Sequence, residues 1–136
     1  MEKLFSIIAN GRDAAVALVR DRFSAGQPVY GYELDDACRN VIEEVGYGKY
    51  FIHRTGHNIT HEIHGAGANI DNFETCDRRE LLPSTSFSIE PGIYIAENIG
   101  LRTEIDVVIS NVGEILIPTE PIQQKVLPLL ATDFIW

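Results

Sequence analysis

Apolar residues recur at helical spacing from Glu2 to about Phe23, with Leu4, Phe5, Ile8, Ala15, Val16, Leu18 and Val19 marking the repeating face. Ser24-Ala25-Gly26-Gln27-Pro28 supplies the stop. Gly11 lies inside this run and costs about 1 kcal/mol against alanine, which leaves a break there open. A second amphipathic helix is predicted from about Glu33 to Val45, with Leu34, Ala37, Cys38, Val41 and Ile42 on one face and Gly46 as its terminator. After Gly67 the chain reads as loop through Arg79, and then the period changes from helical to alternating. Ser86 to Glu90, Ile93 to Ile95, Leu101 to Ser110 and Glu114 to Ile117 read as strands joined by Pro91-Gly92, Asn98 to Gly100 and Asn111 to Gly113. Short turns between strands mean hairpins, so the expected class is α+β: an antiparallel curved sheet covered by two amphipathic helices, in one domain over residues 1–136.

The alternation also assigns carboxylates to faces. In the strand ending at Glu90, Phe87 and Ile89 point one way, while Ser86, Ser88 and Glu90 point the other, and Glu90 sits just before a Pro-Gly turn. Along Leu101 to Ile109 the odd positions are the apolar set, leaving Arg102, Glu104 and Asp106 together on the opposite face. A surface cross-strand ion pair is the plain structural alternative for Glu104, and such a pair contributes little.

All four histidines, His53, His57, His61 and His64, fall in the stretch HRTGHNITHEIHG. Imidazole is the commonest metal ligand and titrates near neutral pH, so this concentration marks a candidate site. The spacing would place all four on one face of a helix. Gly56 and the β-branched Thr55, Ile59, Thr60 and Ile63 favour a strand, a turn near Gly56 and a second strand instead. In a regular strand His64 would face away from His57, so a shared site requires a bulge or bend between them. One imidazole and two glutamates would supply the nitrogen and oxygen donors that Mn²⁺, Zn²⁺, Fe²⁺ or Co²⁺ accept.

Composition excludes some functions. A formal charge of -9 opposes binding to nucleic acid or anionic membrane surfaces, which clustered lysine and arginine hold. No apolar run is long enough to span a bilayer. Cys38 and Cys76 lack CxxC spacing and no signal-type leader opens the sequence, so a reducing, cytoplasmic location is expected.

Three ordered motifs then carry a resemblance. His53-x-x-Gly-His57 with Glu62-Ile-His64, Phe87-Ser-Ile-Glu90-Pro-Gly-Ile-Tyr94, and Gly100-Leu-Arg102-Thr-Glu104-Ile-Asp106 resemble the metallopeptidase family of methionine aminopeptidase, Xaa-Pro aminopeptidase and prolidase. Order and spacing look most like the Xaa-Pro aminopeptidase and prolidase branch, over nearly the whole chain. The resemblance implies the pita-bread fold, two related halves around a two-metal centre, with this chain as the carboxy-terminal half. It implies His57, Glu90 and Glu104 as metal ligands, Glu90 as the proton-transfer group, His53 and His64 as catalytic residues beside the substrate, and Arg102 as support for the carboxylates. The implied cofactor is a divalent metal, Mn, Zn or Co, two ions in the complete site, and the implied substrate is a peptide or dipeptide. His61 receives no role, and Glu62 is expected to be structural.

Departures from the family pattern shape the expectation. Two further aspartate ligands would lie on strands before the first helix, and Asp13, Asp21, Asp35 and Asp36, all on predicted helices, do not replace them. The chain is therefore expected to supply three of five ligands and to be inactive alone. The usual Gly-His-Gly-Ile-Gly is Gly56-His57-Asn58-Ile59-Thr60, and the usual Pro-Gly-Met is Pro83-Ser84-Thr85. The expected function is metal-dependent hydrolysis of a peptide bond near an N-terminus. Its rivals are a non-catalytic peptide- or protein-binding module of the same fold and a creatinase-like hydrolase. For partners, either a missing amino-terminal half or a homodimer is expected, the latter through a sheet edge and the apolar tail Val126-Leu-Pro-Leu-Leu130 with Phe134, Ile135 and Trp136.

Overall fold

Helix α1 runs Glu2–Ser24 without a break at Gly11. A β-carbon at Gly11 would lie 3.1 Å from both the carbonyl oxygen and the sulfur of Cys38, so the glycine is where the backbone of α1 meets helix α2, Gly31–Glu44. This contact, rather than a kink, explains a glycine in mid-helix. Helix α2 starts two residues earlier than its apolar periodicity predicts. Glu33 explains the shift: its carboxylate accepts the Tyr30 backbone N–H at 3.0 Å and pairs with Arg22 of α1 at 2.8 Å, tying one helix end to the next helix start. Behind the helices lie Phe5, Ile8, Val19, Leu34, Cys38 and Ile42, all buried. Burial pushes the Cys38 thiol up to about 12, so it packs as a small apolar group, while Cys76 is exposed and unpaired with it.

The computed structural model describes residues 1–127. The tail from position 128 onward, including Phe134, Ile135 and Trp136, lies outside the described residues.

The strands are antiparallel, as their hairpin turns require, but divide between two sheets. Strands β1 (Asn58–Ile59), β2 (Thr85–Ile89), β5 (Ile105–Ile109) and β6 (Ile115–Leu116) form one in the order β1-β2-β5-β6, and β3 (Gly92–Ile95) with β4 (Ile99–Arg102) forms the other. The continuous strand expected over Leu101 to Ser110 is thus two strands, interrupted at Thr103 and Glu104. One register nevertheless runs through both sheets. Ile89 faces Ile105 on one side of the interruption and Gly92 faces Arg102 on the other, so Glu90 stands opposite Glu104 and Pro91 opposite Thr103. Proline has no N–H to give, while the Pro91 carbonyl accepts Thr103 N–H at 3.2 Å. Glu90 N–H turns instead to the carbonyl of Thr55, at 2.7 Å. The ribbon changes partners at the place where its two carboxylates sit.

Phe87, Ile89, Ile93, Ile105, Val107 and Ile109 fill the core beneath the helices, as the alternation predicts. Ser88, on the other face, is also fully buried because the segment around Gly56 and His57 covers it.

Candidate metal centre

The segment carrying the histidines is mostly not a strand. Only Asn58 and Ile59 pair with β2, Gly56 makes an isolated antiparallel bridge to Ile70, and the rest of residues 53–66 is irregular. Two contacts override the strand preference of Thr55, Thr60 and Ile63. At Gly56 a β-carbon would lie 1.9 Å from the Ser88 carbonyl oxygen, so the backbones touch where only glycine fits. At Asn58 the buried side-chain amide donates to Ser86 O at 3.0 Å and accepts from Gly67 N–H at 3.0 Å. Asn58 thus draws residues 65–67 back over β1, and Gly65 N–H closes the loop on Asn58 O at 3.0 Å.

That closure supplies the bend that a shared site needs. The rings of His57 and His64 lie 4.4 Å apart between centroids, whereas the His61 side chain is 90% exposed, 3.8 Å from Glu62. His53 sits elsewhere on the segment: its Nδ1 is 2.7 Å from Arg54 O and its Nε2 is 3.1 Å from the Tyr94 hydroxyl of β3. An edge-on contact with Phe51 completes its surroundings.

At the centre stand His57, Ser88, Glu90, Arg102 and Glu104. His57 Nε2 is 3.3 Å from Glu90 Oε1, and both side chains are nearly buried. Ser88 O–H donates to the same oxygen at 3.0 Å while its Oγ accepts His57 backbone N–H at 3.1 Å, bracing the pair. Arg102 reaches both carboxylates, 3.2 Å from Glu90 Oε2 and 3.9 Å from Glu104 Oε2.

Glu104 has its pKa raised from the ordinary 4.5, first by partial burial and then by the charge of Glu90 opposite. The folded chain thus holds this proton more tightly than the unfolded one. Its ionisation opposes folding: stability is full below 4.5 and declines as pH rises through the raised value. Glu104→Gln is therefore expected to raise the urea midpoint at pH 7 and leave it unchanged at pH 4. Because Glu104 is half-exposed, the gain is only a few tenths of a kcal/mol. A lowered midpoint at pH 7 would contradict this.

By chemistry the donor set fits a divalent ion of the Mn, Zn or Co kind: one imidazole nitrogen and two carboxylates. His57 Nδ1 lies 3.1 Å from the Asn58 carbonyl, and an N–H donated there leaves Nε2 facing Glu90. Two acceptors at 3.3 Å need a proton or a cation between them. The arrangement is not yet a metal cage. Among the described residues no group of three or more His, Cys, Asp or Glu side chains is set to hold an ion, and the guanidinium of Arg102 supplies the positive charge between the carboxylates.

Ser88 and Tyr94 escaped the sequence reading as parts of this site. Ser88 carried a signal, since it shares the polar face of β2 with Glu90. Tyr94 closes the second motif, but its contact with His53, 41 residues away, left no local signal.

Residues 1–111 match the model of metallopeptidase family M24. An uncharacterized peptidase of Schizosaccharomyces pombe is 35% identical over 117 residues, which is 85% of this chain and 24% of that protein. An Xaa-Pro dipeptidase of Lactobacillus delbrueckii subsp. lactis is 34% identical over 104 residues, 76% of this chain and 26% of that one. The crystal structure of the prolidase from Pyrococcus horikoshii OT3 aligns with a TM-score of 0.77 at 27% identity, over 91% of this chain and 33% of that chain. The chain spans about a quarter to a third of the length of these relatives. Among the described residues, no helix is long and apolar enough to cross a membrane.

Proposed function

The chain belongs to metallopeptidase family M24, and from that premise we propose that it contributes His57, Glu90 and Glu104 as ligands to a divalent-metal centre that hydrolyses a peptide bond near an N-terminus, as Xaa-Pro dipeptidases do. Its helices and antiparallel strands have the pita-bread fold of its prolidase neighbours. Residues 1–136 are taken as the carboxy-terminal half of the catalytic domain, on the order of the three motifs that carry the resemblance. The observation that carries the reading is the face-to-face approach of His57 Nε2 and Glu90 Oε1 at 3.3 Å, which brings an imidazole nitrogen and a carboxylate oxygen to one point.

His57, Glu90 and Glu104 would hold the ion, which would supply Lewis-acid polarisation of the scissile carbonyl and a water of lowered pKa. The protein's own groups do the rest. Glu90, held by Ser88 and Arg102, is placed to take a proton and return it to the leaving amine. His64, with its ring beside His57, and His53, steadied by Tyr94, are the side chains proposed to orient a peptide. Arg102 neutralises the carboxylates while they are unliganded and braces them otherwise.

With three of the five ligands that the resemblance implies, the chain alone is expected to bind Mn²⁺ or Zn²⁺ weakly and not to turn over an Xaa-Pro dipeptide. Calorimetric titration of the wild type and His57→Ala tests this. Measurable binding that disappears in His57→Ala supports the reading, and a wild type that binds no ion overturns it. Tight uptake of two ions with turnover would overturn the incomplete-site part. A peptide that still binds after His57→Ala and in excess chelator would favour a non-catalytic binding module.

A further inference from the structure

Beneath the candidate site lies a buried ion pair that touches none of its reacting groups. Asp35, fully buried on α2, is gripped by Arg39 one turn later, Nε to Oδ2 at 2.9 Å and Nη2 to Oδ1 at 3.0 Å. Arg39 then donates to two backbone carbonyls of the histidine segment, Phe51 O at 3.0 Å and His53 O at 2.9 Å. Its guanidinium is flanked by the rings of Phe51 and Phe73, at 4.2 and 4.6 Å from their centroids. Asp35 Oδ1 also accepts Thr55 N–H at 2.8 Å. The Thr55 carbonyl in turn accepts Glu90 N–H at 2.7 Å.

Two carbonyls and one amide of an irregular segment are thus fixed to one rigid helix, and Thr55, which bears that amide, holds the backbone of Glu90 through its own carbonyl. Residues 51–55 have no strand partners of their own over this stretch. Charge-assisted hydrogen bonds to a helix replace the missing ladder. A buried pair of this kind contributes little net stability compared with apolar packing, and its best-attested use is to fix one arrangement among several. Here the arrangement fixed is the offset between His57, two residues beyond Thr55, and Glu90.

We infer that Asp35 and Arg39 are positioning residues that set the separation of His57 and Glu90 through the Thr55 backbone. The inference rests on the proposed metal centre for its purpose, but not for its test. In ¹⁵N-labelled Arg39→Lys, which keeps the charge and loses the planar fork, amide hydrogen exchange is read at Thr55 and Glu90, with Val107 as the core reference. Exchange at Thr55 and Glu90 is expected to quicken by about tenfold while Val107 stays as in wild type. The His57 imidazole resonances should shift or broaden, and Zn²⁺ affinity should fall by about tenfold. Asp35→Asn retains an acceptor for Thr55 N–H and is expected to give a smaller change of the same pattern.

If Thr55, Glu90 and Val107 all quicken together, the pair is a general stabiliser and the inference is wrong. It is equally wrong if the His57 resonances do not move. Should the wild type bind no Zn²⁺, the metal reading fails by itself, and the exchange and imidazole data still decide this one.

Discussion

Replacing Glu90 by glutamine is expected to weaken binding of Mn²⁺ or Zn²⁺ by on the order of 100-fold, larger than losses from supporting residues because a charged donor is removed outright. The substitution keeps the shape and the hydrogen bond from Ser88, so folding is preserved. What changes is the charge facing His57 Nε2 at 3.3 Å and Arg102 at 3.2 Å. Without it, Arg102 is no longer drawn between the carboxylates, and the imidazole is left facing a neutral amide. Isothermal titration on both proteins checks the outcome. An affinity for the ion unchanged in Glu90→Gln would remove Glu90 from the ligand set.

The second large effect is on stability. Gly56→Ala is expected to cost about 3 kcal/mol or more, because the new methyl would stand 1.9 Å from the Ser88 carbonyl oxygen, and that atom is backbone that cannot rotate away. The segment around Gly56 and strand β2 must part to admit it. The same movement would break Ser88 N–H to His57 O, 2.9 Å, and His57 N–H to Ser88 Oγ, so the site loosens with the fold. Gly11→Ala is the control. Its methyl meets neighbours at 3.1 Å, and alanine gains about 1 kcal/mol of helix propensity, so the net change should stay within about 1 kcal/mol. Urea unfolding of the two variants separates the cases, and equal costs at both positions would refute the close-approach argument.

Both helices could be read from the sequence because their apolar period and terminators are local signals. The strand faces were legible for the same reason: alternation put Phe87, Ile89, Ile105, Val107 and Ile109 in the core and left Glu90 and Glu104 on the other side. The break at Thr103 and Glu104 was not, since it arises when Glu90 N–H leaves its strand for Thr55, 35 residues away. Nor was the irregular path of the histidines. The β-branched residues argued for strand, and what overrules them is the amide of Asn58 reaching Gly67 and Ser86. Asp35 drew notice only as a stand-in for a strand-borne ligand, because its true partners, Arg39 and Thr55, are recognisable only once α2 packs under the histidine segment.

The turn at the far end of the hairpin governs more than its own shape. Ile95 faces Ile99 across Ala96, Glu97 and Asn98, and every cross-strand partnership down to Glu90 and Glu104 is counted from that point. Lengthening the turn by one residue, with the pairing slipped to match, would turn one of the two acidic side chains to the core face. Natural variants of this chain should therefore keep the length of that turn, and at Glu97, whose φ is 58°, should favour glycine, asparagine or aspartate over β-branched residues.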